Sequence, residues 1–185
     1  MNTVTSTERT GVATFRGNPV TLLGPEVAVG DRAPDFTVLG RDMAPVRFAS
    51  LSGTTRVISA VPSLETPVCD LQTRRFNEAV AELGETSVLT VSVDLPPAQA
   101  RWCGAAGVEH VRTLSDHRDL SFGLAYGVVI KEIRLLARAV FVVDATDTVV
   151  HAEYVREVGQ PADLDAAIDA ARRAETARRS AGRSA

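Results

Sequence analysis

A cysteine set at the start of a helical pattern is the residue in this chain best placed to do chemistry. Cys69 closes the octet Pro62-Ser63-Leu64-Glu65-Thr66-Pro67-Val68-Cys69, which follows the apolar run Val57-Ile58-Ser59-Ala60-Val61. Thr66 followed by Pro67 reads as a helix N-cap and first helical residue, because the hydroxyl can accept an early backbone N–H and proline has none to orphan. Cys69 then takes the third helical position, where unpaired N–H groups and the positive end of the helix dipole favour thiolate over thiol. Thiolate is the form that attacks electrophiles, so the octet predicts a nucleophilic cysteine. The Thr66 hydroxyl, one turn earlier, can donate towards the sulfur or an incoming atom, and Pro62, where the strand ends, either marks a turn or shields the sulfur from water.

Two distant residues can complete such a centre. Arg138 interrupts the apolar run Leu135-Leu136-Ala137-Arg138-Ala139-Val140-Phe141-Val142-Val143, which reads as a central strand. A guanidinium buried there needs a partner, and both the Cys69 thiolate and a structural carboxylate such as Asp94 qualify. Arg134, four residues earlier, shares the strand's facing but lies nearer its end. Cys103 is the only other cysteine. It is either a second thiol that condenses with oxidised Cys69 or a small buried apolar residue beside Trp102. Glu65 and Asp70 read as solvent-facing or helix-start charge. His110, His117 and His151 lack metal-ligand spacing with either cysteine, and no glycine-rich phosphate loop follows a strand, so no metal or cofactor is expected.

The elements that must hold these residues alternate between strand and helix. Ala13–Arg16 and Val20–Leu23, split by Gly17-Asn18-Pro19, predict an N-terminal hairpin. Strands are expected at Phe36–Leu39, Val46–Phe48, Arg56–Val61, Ser87–Val93 and Val111–Leu114. Helices are expected at Pro67–Leu83, Pro97–Ala105, Leu120–Tyr126 and Leu164–Glu175, the first burying a face of Leu71, Phe76, Ala79, Val80 and Leu83. Leu135–Val143 and Thr148–Val155, split by Asp144-Ala145-Thr146-Asp147, predict a second hairpin. The sum is an α/β chain with a central mixed sheet covered on both faces.

With 185 residues, 45% hydrophobic and 23% charged, the chain should form one domain, placed at 13–175. Residues 1–12 are expected to be a flexible N-terminus and 176–185 a flexible Arg/Ala-rich tail. A net charge of −3 gives no basis for a nucleic-acid or anionic-membrane partner. The first ten residues lack the basic and apolar stretches of a secretory signal, and no segment is long enough to span a bilayer. A cytoplasmic setting follows, where a cysteine pair is more often catalytic or sensory than structural.

Pro62-x-x-x-Thr66-x-x-Cys69 after a strand resembles the active-site signature of the peroxiredoxins, and Gly30-Asp31-Arg32-Ala33-Pro34-Asp35-Phe36 resembles their opening segment. Phe15-Arg16-Gly17-Asn18-Pro19-Val20, Asp94-Leu95-Pro96, Cys103-Gly104 and Ala137-Arg138-Ala139-Val140 are similar to segments of the bacterial thiol peroxidases, the atypical two-cysteine branch. The resemblance spans about Phe15 to Ile168 in one register. Two departures are Pro67, where glycine is usual, and Asp70, where a small residue is common.

The resemblance implies a thioredoxin-like fold and reduction of hydrogen peroxide and alkyl hydroperoxides. It assigns attack to Cys69, charge stabilisation to Arg138, support to Thr66 and Pro62, and an intrachain resolving disulfide to Cys103. It further implies a homodimer recycled by thioredoxin, with the segment around Cys69 near the interface. A disulfide needs Cα atoms within roughly 7 Å, so local unwinding around one or both cysteines is expected. The competing reading is a redox sensor or relay, in which the same chemistry passes oxidation to a partner protein.

Overall fold

The computed structural model describes residues 7–182. Among these the chain runs β1 (Glu8–Phe15), β2 (Asn18–Leu23), β3 (Thr37–Leu39), β4 (Pro45–Arg47), β5 (Arg56–Ala60), α1 (Pro67–Ala79), β6 (Ser87–Ser92), α2 (Pro96–Ala106), β7 (Arg112–Ser115), α3 (Ser121–Ala125), β8 (Val129–Ile130), β9 (Ala139–Val143), β10 (Val149–Tyr154) and α4 (Leu164–Gly182). The main sheet has the order β10-β9-β5-β6-β7-β3-β4, with β5, β6 and β7 parallel and the flanking strands antiparallel. A smaller sheet, β1-β2-β8, lies beside it. No helix among the described residues is long and apolar enough to cross a membrane.

Alternation along the central strands builds two cores. From β5 and β9, Val57, Val140 and Val142 pack with Cys69, Phe76, Cys103 and Ile168, while Ile58, Ala60, Phe141 and Val143 join the opposite core with Phe36, Phe122 and Tyr126. Burial on both faces explains why β5 and β9 read as near-continuous apolar runs. The cation at the start of β5, Arg56, is buried against Asp147 at 2.7 Å, the Asp144 carbonyl and the Phe48 ring.

Several expected boundaries move, each for a local reason. The first turn is Arg16-Gly17, both at positive φ (52° and 77°), a two-residue type I′ geometry that leaves Asn18 and Pro19 inside β2. β1 begins at Glu8 rather than Ala13, because Glu8 and Arg9 pair with Leu23 and Leu22 and Arg9 donates to the Gly24 and Gly127 carbonyls. The expected flexible segment 1–12 is therefore strand from Glu8, and residues 1–6 lie outside the described residues. At the other end α4 continues through most of the expected tail to Gly182, because buried Glu175 accepts from Arg178 and Arg179 one turn on. Residues 183–185 lie outside the described residues.

The apolar run before Arg138 is not one strand. Val129–Ile130 pairs with β2, the chain then turns through exposed Arg134 (φ 54°), and Leu136 bridges back to Val129 before β9 begins at Ala139. Arg134 is thus a turn residue and shares no face with Arg138. On α1 the buried stripe is Cys69, Gln72, Thr73, Phe76 and Ala79, the i, i+3, i+4, i+7 pattern, so Leu71 falls off it and is 66% exposed.

Candidate active site

β5 ends beneath the octet, and Val61 and Pro62 stay buried as the chain leaves the sheet. The Asp94 carboxylate, just past β6, then fixes the turn. It accepts the Ser63 hydroxyl, the Leu64 N–H and the Ser92 hydroxyl, each at 2.8 Å. Thr66 has the extended backbone of an N-cap (φ −98°, ψ 142°), Pro67 is the first helical residue, and Asp70 N–H makes the first helical bond to the Thr66 carbonyl at 2.9 Å.

The Thr66 side chain does not cap the helix as expected. Its oxygen lies 2.7 Å from Cys69 Sγ and 3.0 Å from the Ser63 carbonyl. The hydroxyl is turned to these two partners and not to an early backbone N–H. A hydroxyl has one proton to give. With a thiolate, Thr66 donates to sulfur; with a neutral thiol, S–H can donate to Thr66 while the hydroxyl donates to Ser63.

Arg138, immediately before β9, brings the second group to the same sulfur. Its buried guanidinium donates from Nη2 to Cys69 Sγ at 3.3 Å, from Nη1 to Gln72 Oε1 at 3.0 Å and from Nε to the Val158 carbonyl at 3.1 Å. No carboxylate is among these partners; Asp94, the alternative considered from sequence, is committed to Ser63 and Leu64. The guanidinium therefore faces the sulfur with only neutral oxygens as its other partners.

Gln72 was not picked out by sequence reasoning. It sits one turn after Cys69, accepts from Arg138 and donates to Ser59 Oγ at 2.7 Å, so it fixes the guanidinium's tilt. The available signal was a polar residue on the apolar stripe of α1.

Cys103 occupies a different kind of place. It lies in the interior of α2, a helix started by Pro96 and Pro97 and ended by Gly107 in left-handed geometry (φ 65°). Its sulfur is 3.3 Å from Thr113 Oγ1 and shares a core cluster with Cys69 and Trp102. Both thiols are free, buried and on wound helices. Among the described residues, no group of three or more His, Cys, Asp or Glu could hold a metal ion. The arrangement can polarise a bond placed against Cys69 from two sides, and a second free thiol lies in the same core cluster.

A redoxin family model matches residues 28–168. The thiol peroxidase of Halalkalibacterium halodurans is 61% identical over 161 residues, covering 87% of this chain and 97% of that protein. The thiol peroxidase of Bacillus subtilis is 57% identical over 159 residues, 86% of this chain and 95% of the other. Among solved structures, a peroxiredoxin-like protein from Aquifex aeolicus superposes with a TM-score of 0.83 at 37% identity, covering 91% of this chain and 98% of its own. The sheet and its helices are accordingly the thioredoxin-like fold of the redoxins. On these grounds the chain belongs to the thiol peroxidases, enzymes of the peroxiredoxin type.

Proposed function

We propose that Cys69 is the thiol that reduces hydrogen peroxide and alkyl hydroperoxides, and that Cys103 resolves the oxidised product as an intrachain disulfide. The observation that carries the reading is the convergence of the Thr66 hydroxyl (2.7 Å) and the Arg138 guanidinium (3.3 Å) on one buried sulfur. The thiolate attacks one peroxide oxygen, the O–O bond breaks, and the other oxygen leaves as hydroxide or alkoxide and takes up a proton. Charge moves from sulfur along that line, where fixed donors are most useful. Arg138 stabilises the anionic centre, Thr66 orients the sulfur and the incoming oxygen, and Pro62 keeps water from the back of the site.

The product is a sulfenic acid at Cys69, which condenses with Cys103. Thioredoxin is the proposed reductant, the cytoplasm the proposed setting and a homodimer the proposed assembly. Leu71 on α1 and Leu95 before α2, both exposed apolar side chains, support a covered surface near the site. Peroxide consumption coupled to thioredoxin, its reductase and NADPH tests the reading, with hydrogen peroxide compared against cumene hydroperoxide. Many turnovers per chain are expected. Consumption that stops at about one equivalent in the presence of the full reducing system would contradict it.

A further inference from the structure

Arg74 spans the gap between the two helices that carry the thiols. Its Nε donates to Asp70 Oδ2 at 2.8 Å, one turn earlier on α1, and its Nη1 donates to the Ala106 carbonyl at 2.6 Å, at the end of α2. Its guanidinium carbon lies 5.9 Å from the centre of the Trp102 ring. The Ala106 carbonyl is one of those at a helix C-terminus with no intrahelical donor, so a cation from a neighbouring helix both satisfies it and opposes the negative end of the dipole. Asp70 is the residue after Cys69, and Ala106 lies in the turn that follows Cys103. Another link between these segments, Arg101 to Glu65, has side chains 74% and 54% exposed, against 43% and 33% for Arg74 and Asp70, and is the more screened by solvent.

We infer that Arg74 is a positioning residue for disulfide formation, a latch that keeps α1 and α2 wound until Cys69 is oxidised. The inference rests on the reading above, that Cys103 is the resolving thiol. In that step the Cys103 sulfur attacks the sulfenic sulfur of Cys69. An S–S bond forms, the S–O bond breaks, and the oxygen leaves as water with the thiol proton. No outside oxidant or reductant enters.

Both sulfurs start buried on wound helices, and a disulfide demands sulfurs about 2 Å apart with Cα atoms within roughly 7 Å. Unwinding the first turn of α1 disturbs Asp70, and unwinding the last turn of α2 disturbs Ala106. Each motion costs Arg74 a contact, so each contact slows resolution. Peroxide attack, and any second attack that carries Cys69 on to sulfinic acid, instead uses the wound state with Thr66 and Arg138 in place. Loosening the latch should therefore speed disulfide formation and reduce over-oxidation.

Reduced protein is mixed with peroxide, and acid-quenched samples are mapped for the linked Cys69–Cys103 pair over time. Emission from Trp102, the chain's one tryptophan, follows the same step in stopped flow. The peroxide-independent rate is expected to rise about 3- to 10-fold in Arg74→Met and about 2- to 3-fold in Asp70→Asn, which removes the charge from one contact and keeps the other. The second-order rate of attack should stay within about twofold, and the sulfinic fraction at a fixed peroxide excess should fall. Unchanged or slower disulfide formation in both variants overturns the inference. Where Arg74→Met also damages the attack step, Asp70→Asn decides by the same rule. Failure of the underlying reading looks different: the unsubstituted protein would yield no linked pair at all.

Discussion

Cys69 and Cys103 are almost equally hidden, at 0% and 2% exposure, yet they are prepared for different work. Burial by itself favours thiol over thiolate. At Cys69 a helix start, a hydroxyl and a guanidinium meet at the sulfur, whereas Cys103 lies within α2 with the Thr113 hydroxyl as its polar neighbour. Exposure does not distinguish the two thiols; their polar partners do. The difference supports the proposed order, in which Cys69 meets peroxide first and Cys103 acts once its partner is oxidised.

The largest effect should come from removing the second thiol. Cys103→Ser should consume about one equivalent of peroxide per chain and then lose thioredoxin-linked cycling, while excess peroxide drives Cys69 to sulfinic acid, read by intact-protein mass. Full cycling by this variant would erase the division of labour. Next is Arg138→Met, which keeps much of the side-chain volume but deletes the charge. Its attack on peroxide should slow roughly 10²- to 10³-fold, the cost typical of losing one preorganised charge-stabilising donor. Unchanged peroxide kinetics would return Arg138 to a structural role and leave Thr66 and the helix start as what sets Cys69 apart from Cys103.

The smallest effect on chemistry is expected at Asp116, which follows the strand that holds Thr113. Burial pushes its carboxyl up to about 6, against the opposing N–H donors of Gly123 and Phe122. A folded-state value above the unfolded 3.8 means that its contribution to stability is fully present below about pH 4 and is lost as pH rises through about 6. The loss is on the order of 2–3 kcal/mol at 1.36 kcal/mol per unit. Denaturant unfolding should show this decline, and Asp116→Asn should flatten it. The peroxide-attack profile of Asp116→Asn should overlay that of the unsubstituted protein, since Asp116 touches neither thiol. A shifted attack profile would couple the two regions that the comparison separates.

What the sequence made legible was local. Thr66, Pro67 and Cys69 lie within four residues, so the helix start and the Thr66–Cys69 contact could be read directly, though the expected side-chain cap is absent, and the alternating strands and helices led to the mixed sheet. Arg138 announced itself as a charge in an apolar run, but its partner lies 69 positions away and depends on how β9 and α1 meet. Its place at the head of β9 was hidden by the uninterrupted apolar run, which in the fold is divided by the turn at Arg134. Leu71, expected on the buried face of α1, is exposed, while Gln72, not picked out from sequence, is buried, because the face follows the i, i+3, i+4 stripe that starts at Cys69. The extent of β1 and α4 depended on long-range partners, among them Gly127 for Arg9 and Glu85 for Arg178.

The central claim is that polar partners, not exposure, make Cys69 the attacking thiol. Single-thiol proteins test it most directly. Cys103→Ser and Cys69→Ser are each given one equivalent of hydrogen peroxide together with dimedone, and the sulfenic acid adduct is mapped by mass. Cys69 in the first protein should be labelled nearly completely, while Cys103 in the second stays reduced and that protein shows no turnover, because serine oxygen is far less ionised and far less nucleophilic than a thiolate. Comparable labelling of Cys103 in Cys69→Ser would contradict the account.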